Sequence, residues 1–459
     1  MKKLLSWPLL LYLRFFARRA LRRHRPTIIG VAGAVGKSSA VQALYAILKD
    51  RYSVRYTPGN SETGVPLGIL GIPHGNYSLL NWIKIMVRCL VMTSSPLQGV
   101  DYLIIEMGTD ELKPPKNMEY LLTIVKPDIA VWLNVYPAHM GLFAEGLSEE
   151  EKKLPEAEKE KIIIQKIAEE DGKIITKSDC KVGIYYYDNE PVRKEIEKLQ
   201  SSSKKAVRLL SFGDEYANDS SYGEYSATLA GTIFEFIINK EQVKISFNNV
   251  LLPLEYREEF AAALLVAKEC GMSAHEAAEA LVKNFVLPPG RSSMFEGIKD
   301  SVIIDSSYNA SPAAVTSFLD LVKGLEQRTG RPIVCLFGDM REFGVTEAIE
   351  HQRIAEKLVI TVDYLYCVGS ATRTHVIPYV ENYEHPKVKE FRWFKNAQVL
   401  GEYVREHLPD RALVLVKGSQ NTIYLEEAVK YLLKNKVDEG KLCRQGEYWS
   451  AVKKKFFQV

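Results

Sequence analysis

The chain reads TIIGVAGAVGKSSAVQALYAIL over residues 27–48, and this stretch decides the fold. Its first six residues form an apolar run that predicts a buried strand, and Val41, Leu44 and Leu48 recur after it at helical spacing. The glycines between them let backbone N–H groups close around phosphates, and the start of a helix adds a favourable dipole. The stretch therefore predicts a strand, a phosphate-binding loop and a helix.

The loop differs from the pattern G-x-x-x-x-G-K-S/T because Val31 takes the place of the first glycine. Its context nevertheless predicts binding of a nucleoside triphosphate, with the Lys37 ammonium at the β- and γ-phosphates and the Ser38 hydroxyl on Mg²⁺. The residues expected around the phosphates are Gly33, Ala34, Val35, Gly36, Lys37, Ser38 and Ser39.

Strand and helix patterns alternate after the loop, which predicts an α/β fold whose central P-loop ATPase domain has a mostly parallel sheet. Strand-like alternation over 182–254, with a turn at 239–241, predicts a small antiparallel sheet attached to that domain. A second alternation follows Pro-Pro-Gly and predicts a Rossmann-like C-terminal domain. We expect three parts: 1–26, 27–288 and 289–459.

Composition restricts the class of protein. With 46% hydrophobic and 25% charged residues, the 459-residue chain resembles an ordinary soluble globular protein, which excludes disorder and fibrous repeats. Its six cysteines lie far apart without a C-x-x-C pair. This spacing excludes a zinc ribbon and a disulfide framework, and it suits a reducing cytoplasm.

Positive charge is concentrated at the N-terminus. Residues 1–25 carry eight Lys and Arg and no acid, although the net charge of the whole chain is only +3, so we expect no nucleic-acid partner. The apolar run LLSWPLLLYLRFF (4–16) is too short to span a bilayer. Two interpretations stay open: a helix on an anionic membrane surface at the inner face of the membrane, or a helix packed on the body of the protein.

Further motifs follow the phosphate loop in a fixed order. They are TPGNSETGVP (57–66), IIEMG (104–108), NVYPAHM (134–140), PGRSS (289–293), DSSYNASP (305–312), GDMREFG (338–344) and VKGS (416–419). Together they resemble the Mur ligase family of peptidoglycan synthesis over residues 27–435, and most of all its MurF type. That resemblance implies an ATP- and Mg²⁺-dependent enzyme that adds D-alanyl-D-alanine to a UDP-MurNAc-tripeptide through an acyl phosphate. The implied partners are therefore small molecules, and we expect a cytoplasmic monomer.

The resemblance also implies roles for individual residues. The implied metal ligands are Ser38, Glu106 and His139. The implied catalytic residues are Lys37, Arg291 and, by a loose alignment to a carbamylated lysine, Lys159. Asp305 and Asn309 are implied at the ribose and adenine, and the implied substrate-binding residues are Thr57, Asn60, Asp339, Lys417 and Ser419.

Chemistry alone leaves alternatives at several of these positions. Glu106 could end a strand without a metal, and His139 could be structural because Mg²⁺ prefers oxygen ligands. Lys159 could equally be a solvated lysine on a charged helix. His351 could lie in a pocket or on a helix face, and it receives no role.

Two departures from the MurF type affect the interpretation. Only 26 residues precede the first strand. The MurF type has at this place a domain of several dozen residues that binds the UDP of the substrate. We therefore expect this domain to be missing. Glu259 stands where an asparagine near the adenine is expected, which puts the nucleotide preference in doubt.

Three other functions remain as alternatives. A MurT-like subunit also lacks the UDP-binding domain but resembles a chain with a zinc ribbon, for which this sequence has no cysteine cluster. Folylpolyglutamate synthase shares the fold but is favoured less by the motifs at 305–312 and 338–344. The third is a non-catalytic nucleotide-binding scaffold, against which the retention of Lys37, Ser38, Glu106, His139 and Arg291 argues.

Overall fold

The computed structural model describes residues 2–73, 78–91, 96–136, 140–202, 207–341, 343, 346–419 and 422–457. The chain divides into two compact units. The first comprises residues 1–224, 235–245 and 256–285, and the second comprises 225–234, 246–255 and 286–459.

Helices and strands alternate through most of the chain up to residue 285. In chain order they are α1 (Lys2–His24), β1 (Thr27–Ala32), α2 (Lys37–Leu48), β2 (Val54–Tyr56), α3 (Gly64–Leu70), α4 (Leu79–Val91), β3 (Tyr102–Glu106), α5 (Met118–Ile124), β4 (Ile129–Trp132), α6 (Met140–Ala144), α7 (Glu156–Asp171), α8 (Lys173–Thr176), β5 (Val182–Tyr186), α9 (Glu190–Ser201), β6 (Arg208–Gly213), β7 (Ser220–Thr228), β8 (Gly231–Ile238), β9 (Glu241–Asn248), α10 (Tyr256–Glu269) and α11 (Ala274–Asn284).

These strands form one nine-stranded sheet in the order β2-β3-β1-β4-β5-β6-β7-β8-β9. The pairs from β2 through β7 are parallel, which confirms the predicted mostly parallel sheet. Strand β1 lies between β3 and β4, with Val31 level with Glu106 on one side and Val131 on the other. The carboxyl ends of three adjacent strands therefore meet at one edge, where ligand sites of open α/β sheets form.

The strands β7, β8 and β9 extend this sheet instead of forming a separate one. Two-residue connections join them in sequence, and such short connections require antiparallel neighbours. In the β8–β9 turn, Asn239 and Lys240 both have positive φ, 47° and 72°. This is the backbone of a type I′ hairpin turn.

The remaining elements begin after residue 285. They are β10 (Ser293–Glu296), β11 (Val302–Ser306), α12 (Pro312–Thr329), β12 (Ile333–Gly338), α13 (Glu347–Thr361), β13 (Tyr364–Val368), α14 (Ile377–Glu381), β14 (Glu390–Phe394), α15 (Ala397–His407), β15 (Leu413–Lys417), α16 (Glu426–Leu432) and α17 (Glu447–Phe457). Their six-stranded sheet has the order β10-β11-β15-β12-β13-β14, and only the edge strand β10 is antiparallel to its neighbour.

Helix α1 packs on the first unit. Leu10, Leu13 and Ala17 are buried in the same apolar core as residues of α3, α5 and β3. Within the described ranges, no helix is both long and apolar enough to cross a bilayer. All six cysteines are buried and free.

The β8–β9 turn gives a stability prediction. Lys240→Gly should raise the free energy of unfolding by about 1 kcal/mol, because a residue with a Cβ is strained in the left-handed region and Asn-Gly suits this turn. The measurement is urea denaturation. As the matched control, Lys244→Gly at an exposed position inside β9 should lower stability. Equal effects of the two substitutions would contradict the turn geometry.

Candidate active site

The phosphate loop needs glycine at two positions. Gly33 and Gly36 have φ of 142° and 85°, where side chains with a Cβ are strained. A Cβ on Gly33 would also lie 3.1 Å from the backbone nitrogen of Asn134, which follows β4. The glycines thus let the loop turn tightly between β1 and α2 while lying close to the end of β4.

Asn134 holds the loop in place. Its backbone oxygen accepts from the Ala34 N–H and its Oδ1 accepts from the Val35 N–H, both at 2.9 Å. The Lys37 ammonium donates to the carbonyl oxygens of Gly33 and, at 3.2 Å, Ala34. The ammonium group therefore lies at the loop, beside the N-terminal turn of α2, where the half-buried Ser38 and Ser39 also lie.

Glu106 joins two motifs that are far apart in the sequence. At the end of β3, its Oε2 accepts from the Ser38 hydroxyl at 2.8 Å, and its Oε1 accepts from the Asn60 amide at 2.9 Å. The backbone of this region is joined too, because the Gly108 N–H donates to the Asn60 carbonyl oxygen at 3.0 Å. The structure thus brings three of the predicted site residues together.

The donor set fits Mg²⁺. A hydroxyl and a carboxylate are hard oxygen ligands, and Mg²⁺ in nucleotide sites is usually held by one or two protein groups together with phosphates and water. In the part of the chain that the structure describes, no group of three or more His, Cys, Asp and Glu side chains could hold a metal ion. His139, the other predicted ligand, lies outside the described residues.

A second carboxyl group near the loop was not predicted from the sequence. Asp171, the last residue of α7, is buried and accepts a hydrogen bond from the Thr109 hydroxyl. Burial raises its pKa to about 6, against the hydrogen bond from Thr109 and the positive charge of Lys37, which both lower it. The residue lies 62 positions from its partner, so sequence spacing gives no signal for this contact.

The residue that departs from the family pattern lies at the phosphate loop. Glu259 of α10 is buried, and a Cβ on Gly36 would collide with its carboxylate. The neighbouring Glu258 accepts from the Asn134 side-chain amide at 3.0 Å. Two acidic side chains of α10 therefore lie near the loop, Glu259 against Gly36 and Glu258 against Asn134, and glycine at position 36 leaves room for Glu259.

Two further predicted site residues of this unit are Thr57 and Lys159. Thr57 is buried, and its side chain packs so closely on the backbone of Gly68 in α3 that a Cβ there would lie 2.7 Å away. Lys159 lies half-buried near the start of α7. Their roles in substrate binding and catalysis stay predictions.

The second unit contains its own cluster of predicted residues. The Lys417 ammonium, at the end of β15, donates to the Ser306 hydroxyl at 3.0 Å and to the Asn309 carbonyl oxygen at 2.8 Å. Burial lowers the pKa of Lys417 to about 7; the charge of Arg291 adds to this shift and that of Asp305 opposes it. The Arg291 guanidinium lies 5.0 Å from the centre of the Tyr308 ring.

Asp305 is fully buried beside this lysine. Its Oδ1 accepts from the Ser307 N–H at 3.0 Å, and no donor among the described residues reaches its Oδ2. Burial accordingly raises the pKa of the Asp305 carboxyl to about 6, although hydrogen bonding from Ser307 lowers it.

The structure gives His351 a structural role. Its Nε2 accepts from the Met340 N–H at 3.0 Å, and its Nδ1 lies 2.8 Å from the Glu347 carbonyl oxygen. The ring therefore fixes the loop that contains Asp339, whose Oδ1 accepts from the Thr372 N–H at 2.8 Å. Ser419 is buried nearby, with its N–H donating to the Asp339 carbonyl oxygen at 3.1 Å.

An ion network that sequence reasoning missed supports the 305–309 loop. Arg444 donates to both carboxylate oxygens of Glu426, at 2.9 and 2.6 Å, and to the Ser307 carbonyl oxygen at 2.8 Å. Lys453 lies 2.8 Å from the same carboxylate. The partners come from α16, α17 and the segment between them, and only the fold brings them together.

Asp171 gives a pH-dependent prediction. Its folded pKa lies above the ordinary value of 3.8, so its contribution to stability is full below pH ~4 and is lost as the pH rises through about 6. The free energy of unfolding of Asp171→Asn, relative to that of the parent, should therefore rise by up to about 3 kcal/mol between pH ~4 and pH ~8. Denaturation at both pH values measures this. The control is Asp214→Asn, an exposed position, and a pH-independent difference for Asp171→Asn would contradict the environment described.

Two family models match this chain. The Mur ligase middle domain matches residues 31–250, and the glutamate ligase domain of Mur ligases matches residues 290–420. The first match contains the phosphate loop, Asn60 and Glu106. The second contains the cluster around Lys417.

Named relatives agree with these models. The chain is 25% identical over 409 residues to the UDP-N-acetylmuramoyl-tripeptide–D-alanyl-D-alanine ligase of Mycobacterium bovis, covering 88% of this chain and 68% of that protein. It is 23% identical to the enzyme of the same name from Bacillus subtilis, covering 92% and 79%. The fold is similar to that of MurF from Thermotoga maritima in complex with ADP, with a TM-score of 0.67 at 21% identity, covering 92% and 83% of the two chains. Since the two family models together match most of its length, the chain belongs to the Mur ligase family.

Proposed function

We propose that this protein is an ATP-dependent amide ligase of peptidoglycan precursor synthesis that joins D-alanyl-D-alanine to a UDP-MurNAc-tripeptide. The convergence of Ser38 and Asn60 on the Glu106 carboxylate, beside a glycine loop with a lysine, carries this proposal. Membership of the Mur ligase family and the names of the relatives support the choice of reaction.

The reaction requires activation of a carboxylate, which is itself a poor electrophile. ATP phosphorylates the terminal carboxylate of the tripeptide, giving an acyl phosphate and ADP. The amine of the dipeptide then attacks the acyl carbon, the amide bond forms, and inorganic phosphate leaves.

The residues of the chain position and neutralise the groups involved. Lys37 would balance charge on the transferred phosphoryl group, and Ser38 and Glu106 would hold Mg²⁺. Bound Mg²⁺ supplies charge neutralisation on the β- and γ-phosphates. Asn60 donates to Glu106 and thereby fixes the orientation of its carboxylate.

The other predicted roles form part of this proposal. Arg291, Asp305 and Asn309 would contact the nucleotide. Thr57 and Asn60 would act beside the tripeptide, and Asp339, Lys417 and Ser419 would line the dipeptide pocket. His139 would be a metal ligand and Lys159 would assist catalysis. We also propose 27–288 and 289–459 as the two catalytic domains of the enzyme.

We further propose a cytoplasmic location at the inner face of the membrane, with residues 1–25 contacting the lipid surface and the protein acting as a monomer. The exposed apolar and basic side chains of α1 support this location. The same feature favours, as a second candidate, a Mur-family ligase whose acceptor is lipid-linked.

The reaction can be tested by phosphate release. Release from ATP and Mg²⁺ should require both UDP-MurNAc-tripeptide and D-alanyl-D-alanine, with the amide product identified by mass. Glu106→Gln should lower the rate about a hundredfold or more, since it removes a charged metal ligand. Glu111→Gln is the matched control, because this carboxylate pairs with Lys116 in the loop that follows β3. Nucleotide binding without release would exclude these two substrates and favour a lipid-linked acceptor.

A variant of Asn60 distinguishes two roles for this residue, positioning of Glu106 and binding of the tripeptide. If the residue positions Glu106, Asn60→Ala should raise the Mg²⁺ concentration needed for half-maximal rate by about tenfold or more, with the rate recovering at saturating Mg²⁺. The measurement is a Mg²⁺ titration of phosphate release. A raised KM for the tripeptide at an unchanged Mg²⁺ requirement would instead assign Asn60 to the substrate.

A further inference from the structure

Helix α4 exposes six large apolar side chains. It rests on the first unit through Ile85 and Cys89, which are buried, whereas Leu80, on the opposite face, is 72% exposed. A surface helix of a soluble domain normally has the reverse arrangement. The exposed apolar side chains of α4 are Leu80, Ile83, Met86, Val87, Leu90 and Val91.

Helix α1 lies next to α4 and continues this apolar surface. The Tyr12 hydroxyl donates to the Met86 carbonyl oxygen at 2.8 Å. Trp7, Leu11 and Phe15, spaced four residues apart on one helix face, are exposed. Among the described residues, nine of the seventeen exposed large apolar side chains belong to these two helices. We call the nine side chains the α1–α4 face.

The charged residues of the two helices that form the α1–α4 face are all basic. Beyond Phe15, the exposed side of α1 continues with Arg18 and Arg22, and α4 exposes Lys84 and Arg88. The sequence contains no Asp or Glu in residues 1–49 or in residues 63–100. An apolar centre with cationic borders matches the interface of an anionic bilayer, where acyl chains lie beneath phosphate groups.

A basic groove lies at the C-terminal end of α1. It has a volume of about 660 Å³. Its cationic side chains are Arg18, Arg22, Arg25, Lys126 and Lys177, and its base includes Leu21 and Ile28. Glu119, which lines it, contacts Lys173 at 3.2 Å and Lys177 at 3.8 Å, and Asp179 pairs with Lys126 at 2.8 Å. The positive charge of the groove therefore rests mainly on Arg18, Arg22 and Arg25. The groove is therefore suited to a phosphate group.

We propose that the α1–α4 face docks in the plane of an anionic lipid bilayer, with Arg18, Arg22 and the basic groove at the phosphate headgroups. Burial of the apolar side chains supplies the hydrophobic attraction and the cations supply the preference for anionic lipid. A second copy of this chain is a poorer partner for the α1–α4 face than a bilayer, because two such faces would place their cations against each other. This inference extends the proposed membrane contact from residues 1–25 to α4, and it does not depend on the ligase reaction.

The test is co-sedimentation of the full chain with vesicles of phosphatidylcholine, alone or mixed with phosphatidylglycerol. The parent should bind the mixed vesicles more tightly, and added salt should weaken that preference. The triple variant Leu80→Gln, Val87→Gln, Val91→Gln should bind about tenfold or more weakly. The matched control is Ile349→Gln, Ile360→Gln, Val437→Gln, which changes exposed apolar residues of the second unit and should bind like the parent.

The charged part of the face is tested separately. Arg18→Gln combined with Arg22→Gln should reduce the preference for phosphatidylglycerol vesicles about tenfold or more while leaving the weak binding to phosphatidylcholine. Quenching of tryptophan fluorescence by brominated lipid gives a second readout. It should be present in the parent and reduced in Trp7→Phe, because Trp7 lies on the proposed face, and the remaining signal should come from Trp82 of α4.

Three results would overturn the proposal: no vesicle binding by the parent, equal binding by the α4 variant, or a parent dimer that the α4 variant converts to a monomer without any vesicle binding. Phosphate release with the soluble tripeptide substrate should be the same in the parent and the α4 variant. A failure of docking is thereby distinguished from a failure of the ligase reaction.

Discussion

The Glu106 carboxylate, with one oxygen on the Ser38 hydroxyl and the other on the Asn60 amide, is the contact on which the candidate site depends. It joins the phosphate loop after β1 to the loop after β2 through the strand that lies between them in the sheet. Because both carboxylate oxygens are occupied by donors, the group has one orientation. A nucleotide-bound metal at Ser38 would therefore meet a carboxylate that is already in place.

The sheet order makes this contact possible. In a parallel sheet all carboxyl ends lie on one edge, and β3 and β4 flank β1, so Glu106 and Asn134 reach the phosphate loop from opposite sides. Apolar runs and a glycine loop suffice to predict these strands and their direction. The sequence thus predicts the α/β fold, a small antiparallel sheet over 182–254 and the contribution of Lys37, Ser38 and Glu106, although it did not indicate that β7–β9 join the main sheet.

What could not be predicted depends on side chains that meet only after folding. Asp171 reaches Thr109 from the end of a helix that looks like an ordinary charged surface helix in the sequence. Glu426, Arg444 and Lys453 are common surface residue types, and their burial follows from the docking of α17. For α4, residues 79–91 are apolar apart from Asn81, Lys84 and Arg88, so the sequence does not indicate which apolar side chains point outward.

The direct test of the metal–nucleotide site is a crystal structure with ADP and Mn²⁺, analysed by anomalous scattering. If Glu106 and Ser38 hold the metal, the anomalous peak lies between the Ser38 hydroxyl and the Glu106 carboxylate, and the Lys37 ammonium is turned from the loop carbonyls toward the phosphates. A nucleotide bound at the loop with its metal away from both side chains would contradict the proposed site.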